Sequence, residues 1–90
     1  MTVETRRERD RQNRYEDILD AAEAVFFNRG YERCTMHDIA RVSRVSRPLL
    51  YVYFKDKSAI MRGIMLRAAQ SLHARFARAL QLSARGAEQI

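Results

Sequence analysis

The 90-residue chain has one proline, one cysteine and three glycines, and no uninterrupted apolar run of membrane-spanning length. A lone cysteine, Cys34, excludes an internal disulfide and fits a reducing compartment. So little Gly and Pro excludes a loop-rich architecture and suits a mostly helical one. The N-terminus carries Arg6, Arg7, Arg9 and Arg11, but no apolar stretch follows them as it would in a secretory leader. Without a segment long enough to cross a bilayer, the expectation is a soluble, cytoplasmic protein with no membrane partner. Neither internal repeats nor low-complexity runs occur, and no glycine-rich loop is present to cradle phosphate in an active site. Cys34, His37 and His73 do not supply a nucleophile, a base and an orienting group in any convergent pattern. The Cys34-x-x-His37 spacing lacks the further ligands of a zinc site. All three read better as ordinary buried or surface residues, so neither enzyme activity nor a cofactor is expected.

Apolar residues make up 47% of the chain, enough for one small domain whose core is thin. The net charge of +6 is segregated. Residues 1–14 carry five arginines against three acids, and residues 15–28 carry four acids and no base. Residues 29–57 carry seven bases against three acids, and residues 58–90 five against one. Basic excess on both sides of an acidic helix points to a polyanion partner more than an evenly solvated surface would.

Residues 1–13 lack apolar periodicity and read as a mobile basic arm, either simply solvated or in contact with phosphate or the minor groove. The first helix is predicted from Tyr15 to about Arg29. There Tyr15, Ile18, Leu19, Ala22, Val25 and Phe26 share about 120° of arc opposite Glu16, Asp17, Asp20 and Glu23. Phe27 lies off this stripe and needs another neighbour. Gly30 can supply the left-handed residue that ends the helix. Thr35, with Asp38 three residues on, opens a second helix with an approximate capping box, and Met36, Ile39, Ala40 and Val42 form its inner face. His37, Arg41 and Arg44 form a basic edge. After a three-residue turn, Ser43-Arg44-Val45, Ser46 caps a short third helix whose first turn holds Pro48, where a missing N–H costs nothing. Leu50 and Phe54 fall on one side of it, and Arg47, Pro48 and Tyr51 on another. For Tyr51 and Tyr53 taken singly, a place at the edge of the core is as good a reading as ligand contact.

Two short helices joined by such a turn form a helix-turn-helix, whose second helix enters the major groove of DNA. The predicted fold is therefore all-α: a three-helix helix-turn-helix bundle over residues 14–56, followed by a long fourth helix over 57–84 and a frayed tail over 85–90. Asp56 is the expected cap of that fourth helix. Its stripe Ile60, Ile64, Ala68, Leu72, Phe76, Leu80 drifts around the axis, so only its first half can pack on the bundle, with Gly63 allowing close approach. Leu72, Phe76 and Leu80 are left wanting a partner. This leaves open a second reading, a helical protein-interaction or dimerisation module, against which the basic edge of the helix-turn-helix argues. RNA binding would satisfy the charge, but no RNA motif is present.

The run Phe26, Gly30-Tyr31, Thr35, Asp38-Ile39-Ala40, Val45-Ser46, Leu50-Tyr51, Tyr53-Phe54 and Lys55-Asp56-Lys57 resembles the N-terminal DNA-binding domain of the tetracycline-repressor (TetR) family over about residues 14–70. The resemblance implies a transcriptional regulator, in most members a repressor, that binds palindromic double-stranded operators as a homodimer. It also implies a larger C-terminal inducer-binding domain beyond these 90 residues, so the chain reads as either a truncated piece of such a regulator or a natural short form. Matched by position, Arg47 and Pro48 correspond to base-reading residues, and Ser46, Tyr51 and Tyr53 to phosphate or groove contacts. Thr35 and His37 fall where the preceding helix touches DNA, and Lys57 matches a phosphate-binding lysine. Two positions depart from the family pattern. Arg44 replaces a common glycine in the turn, so a bulky residue is expected in a left-handed conformation, from which it can reach phosphate. Leu49 replaces a frequent threonine and offers an apolar surface to a thymine methyl.

Overall fold

The computed structural model describes residues 5–88 as four helices joined by short connections: α1 (Arg6–Arg29), α2 (Met36–Ser43), α3 (Arg47–Tyr53) and α4 (Lys57–Glu88). No strand occurs among the described residues, and the fold is all-α. None of the helices is long and apolar enough to cross a membrane.

α1 begins nine residues before the apolar periodicity does. Thr5 accepts a hydrogen bond from the amide of Glu8 at 3.2 Å, and the Glu8 carboxylate accepts one from the amide of Thr5 at 3.3 Å, closing a capping box. Gln12 donates to Glu16 one turn later at 2.9 Å. Arg, Glu and Gln are good helix formers, so this segment is helical without an apolar face. The basic arm expected over residues 1–13 is thus corrected for residues 6–13, which are the first two turns of α1. Residues 1–4 lie outside the described residues. Gly30 ends α1 at φ 87°, ψ 153°, a region open to glycine almost alone, and its N–H donates to Phe26 O at 2.8 Å.

Ile18, Leu19, Ala22 and Val25 of α1 pack with Ile39 and Ala40 of α2, Leu50 of α3, Phe54 and Ile60 as one core, joined by Cys34 from the α1–α2 connection. Tyr15 stacks on Phe54 with ring centroids 5.1 Å apart, bringing the C-cap of α3 against α1. Two apolar residues depart from expectation. Phe27 finds no neighbour and is 91% exposed, because its position on α1 points away from every other element. Val42 is also exposed: α2 ends one residue later, and its inner side there is taken by Ser43, whose hydroxyl donates to Ile39 O at 2.7 Å.

Asp56 caps α4 by accepting from the amide of Ala59 at 2.8 Å. Ile60 is fully buried and Ile64 packs on the core, while Leu72, Phe76 and Leu80 stand exposed, as the drifting stripe requires. α4 does not end near residue 84. It continues to Glu88 because Ala84, Arg85 and Ala87 are strong helix formers, and Gly86 costs only about 1 kcal/mol. The frayed tail expected over 85–90 is therefore helical through 88, and residues 89–90 lie outside the described residues.

Gly63 marks the crossing of α4 over α1. A Cβ there would lie 3.1 Å from Tyr15 Oη and 3.2 Å from Leu19 Cδ2. An alanine gains about 1 kcal/mol of helix propensity against a contact that must give by a few tenths of an ångström, so Gly63→Ala should be near neutral. Gly63→Leu has no such escape and should cost about 1 to 3 kcal/mol, read as a lower denaturation midpoint. An unchanged midpoint in the leucine variant would show that α4 does not rest on α1 there.

Candidate nucleic-acid interface

The helix-turn-helix is built from local signals. Thr35 accepts from the amide of Asp38, and the Asp38 carboxylate accepts from the amide of Thr35, both at 3.1 Å. Hydrogen bonding from Thr35, through its amide first and then its side chain, holds the Asp38 carboxyl below its ordinary range, aided by Arg29 and Arg41. Arg29, at the end of α1, also meets Asp38 at 3.3 Å and ties α1 to the start of α2. At the other end of α2, Arg44 sits at φ 61°, ψ 38°, and the amide of Val45 donates to Ala40 O at 3.0 Å. This is the left-handed close of a helix that glycine usually supplies. Ser46 then caps α3, its Oγ accepting from Leu49 N at 3.2 Å.

Leu50 anchors α3 in the core with no exposed surface. With that side fixed, Arg47, Pro48 and Tyr51 are directed outward and exposed, and Leu49 is half-buried. Thr35 and His37, in the first turn of α2, are exposed, as are Arg44 in the turn and Ser46 at the cap. The hydroxyl of Ser46 accepts a cap bond through a lone pair, so it keeps its proton to donate outward, whereas the Thr35 hydroxyl is engaged with Asp38. Tyr53 stands apart from this group: it is half-buried and packs against the core, about 200° around the helix from Tyr51.

Lys57 is engaged differently from what its position alone suggests. Its ammonium donates to Tyr31 O at 2.6 Å and lies near Glu32 O at 3.4 Å, 4.3 Å from the centroid of the Tyr31 ring. It holds the α1–α2 connection against the start of α4, with a third donor left over.

A second arginine is more fully committed. Arg67 on α4 donates to Glu16, Asp20 and Glu23 on α1 at 2.9, 2.8 and 2.8 Å. Those three bonds hold its guanidinium charged well above the ordinary arginine range. The outer face of α1, which reads as solvated acid, is in fact a clamp for α4. The stripe Glu16, Asp20, Glu23 at spacings of four and three was the available signal.

Cys34 is buried in the core, which pushes its thiol up and away from the reactive thiolate. His37 and His73 are exposed on different helices. Among the described residues no three His, Cys, Asp or Glu side chains come together as a metal site.

This architecture defines a helix-turn-helix domain. Residues 18–64 match the family described as bacterial regulatory proteins, tetR family, and the chain belongs to that family. It is similar to the HTH-type transcriptional repressor BepR of Brucella suis, with 43% identity over 59% of this chain and 25% of the relative. The A-factor receptor protein of Streptomyces griseus is 41% identical over 57% of this chain and 18% of its own length. The HTH-type transcriptional activator FasR of Mycolicibacterium smegmatis is 36% identical over 69% of this chain and 28% of its own. The chain thus spans about a quarter of the length of these relatives, two of which are named a transcriptional repressor and a transcriptional activator, and its family is one of regulatory proteins, not enzymes. No solved structure matches it.

Arg44 offers a direct test of how stability and binding are traded. A left-handed non-glycine residue costs about 1 to 2 kcal/mol. Arg44→Gly should therefore stabilise the free domain by about 1 kcal/mol and weaken duplex binding together. A glycine variant that binds duplex DNA as tightly as the parent would remove Arg44 from the interface.

Proposed function

We propose that this chain is a sequence-specific double-stranded DNA-binding domain that lays α3, from Ser46 to its cap at Phe54, in the major groove of a palindromic operator, as part of a cytoplasmic repressor. The observation that carries this is the split character of α3: Leu50 is wholly buried while Arg47, Pro48 and Tyr51 on the same seven-residue helix are exposed. A helix held from one side and chemically loaded on the other is what groove reading requires. Arg47 and Pro48 read bases, with Leu49 meeting a thymine methyl and Tyr51 the groove wall. Thr35, His37, Arg44, Ser46, Tyr53 and Lys57 hold the backbone. Repression follows from occupancy of the operator. One relative is named a repressor and another an activator, so the sign of control rests on that occupancy argument.

The exposed Leu72, Phe76 and Leu80 on α4 favour pairing of two chains, but one short stripe is too little for a stable interface by itself. These 90 residues should therefore sediment as a monomer or weak dimer at low micromolar concentration. On DNA, two copies should sit on half-sites about 34 to 36 Å apart. The test is a mobility shift on duplex DNA and on RNA at two salt concentrations, with sedimentation of the free chain alongside. Duplex binding that weakens with salt by a slope near 0.9 per phosphate supports the reading. Salt-independent affinity, or preference for RNA, sinks it, and a tight DNA-free dimer would favour the interaction module.

A further inference from the structure

The first two turns of α1 do more than extend a helix. Arg7, Arg11 and Arg14 recur at spacings of four and three, which sets them on one side of α1. Together with Asp10 and Tyr53 they line an open groove of about 220 Å³. Arg29 and Arg67 are engaged by carboxylates, but none of these three arginines is in an ion pair among the described residues. Asp10 offsets one of the three charges and leaves the groove at a net +2. Tyr53 is the last residue of α3, and its packing against the core fixes the wall it forms. The groove therefore lies at the end of α3 opposite Arg47, about 9 Å along the helix axis.

Resting on the reading of α3 given above, we infer that this groove is a second DNA contact, which seats backbone phosphates of the strand flanking the base pairs that α3 reads. Guanidinium groups are weakly hydrated, always charged and shaped to grip phosphate oxygens in pairs. The row from Arg7 to Arg14 is about 10 Å long, enough for about two phosphates of one strand. The Tyr53 hydroxyl adds a neutral donor. Because the capping box orders these turns before DNA arrives, contact there does not require an arm to fold, and the ordering entropy is already spent. The groove contributes affinity and salt dependence without base preference.

The experiment compares the full chain with R7Q/R11Q/R14Q and with R75Q/R78Q/R85Q, which removes the same charge from the distal half of α4. Log affinity is measured against log salt on a preferred and a scrambled duplex. The α1 variant should lose about 1.8 from the slope, 0.9 for each of two phosphates, on both duplexes, leaving their affinity ratio unchanged. The α4 variant should keep most of the parental slope. Equal losses in the two variants would mean that only net charge matters, and an unchanged slope in the α1 variant would empty the groove; either overturns the inference. A parental chain that binds no duplex overturns the reading of α3 itself. Circular dichroism checks that the α1 variant remains helical; should it not, Arg11→Gln alone replaces it, with an expected loss of about 0.9.

Discussion

Leu50→Ala should remove about 2 to 5 kcal/mol of stability, the largest effect of any substitution on α3. Leu50 has no exposed surface and contacts a core drawn from α1, α2 and α4, so its truncation leaves a cavity that no neighbour can fill without moving a helix. A domain of this size has roughly 5 to 15 kcal/mol in total, and a thin core places it toward the lower end. A loss at the upper end of that range would leave a large fraction of Leu50→Ala molecules unfolded. Duplex binding should fall with the folded population, because α3 loses the one fully buried side chain that seats it in the core. Val52, on the same helix, is 77% exposed, and Val52→Ala should stay within about 0.5 kcal/mol of the parent. The pair is read by chemical denaturation with circular dichroism. Equal midpoints for the two variants would mean that α3 is not held through Leu50, and the split character of that helix would be lost.

The contrast between Leu50 and the exposed Arg47, Pro48 and Tyr51 was visible in the sequence because it depends only on helical spacing. The same holds for the caps: Thr35 with Asp38, Ser46 and Asp56 each announce a helix start through a side chain three residues from the amide it satisfies. Arg44 was legible for a different reason, since the resemblance places it where the family commonly has a glycine, and its φ of 61° agrees. The start of α1 was misread because apolar periodicity was weighted over the Thr5-x-x-Glu8 capping box, although a helix can begin without a buried face. The acidic stripe on α1 was visible, but that Arg67 is what it clamps, and that Lys57 engages Tyr31 O, were beyond reach. Each joins residues 26 to 51 positions apart, and no local rule reports where two helices cross. Candidate interface residues were named from resemblance and spacing. The structure adds which of them are exposed, which are committed to caps, and that Tyr53 belongs to a groove with α1 and not to the outward arc of α3.

That distinction between free and committed side chains sharpens what Arg47 and Lys57 should each do. Arg47 is exposed at the first position of α3 and makes no ion pair among the described residues. Its removal should leave the free domain within about 0.5 kcal/mol of the parent. A guanidinium at that place can donate two parallel hydrogen bonds to O6 and N7 of guanine, which distinguishes one base pair from the other three. Arg47→Ala should therefore cost about 1 to 3 kcal/mol on the preferred site, a factor of roughly 5 to 150, and much less on scrambled duplex. Lys57 carries two duties. Its ammonium closes the α1–α2 connection onto α4 through Tyr31 O, and its remaining donor is free for a phosphate of any sequence. Lys57→Ala should weaken both duplexes by similar factors and also lower the denaturation midpoint of the free protein, since a charged hydrogen bond contributes about 1.5 to 3 kcal/mol. Titrations of each variant on preferred and scrambled duplexes at one salt concentration, with the preferred site taken from selection on a random pool, separate the two roles. Should Arg47→Ala lower both affinities equally, Arg47 is a phosphate contact, and base reading passes to Pro48, Leu49, Tyr51 and His37, the other exposed or half-buried side chains that the helix-turn-helix presents.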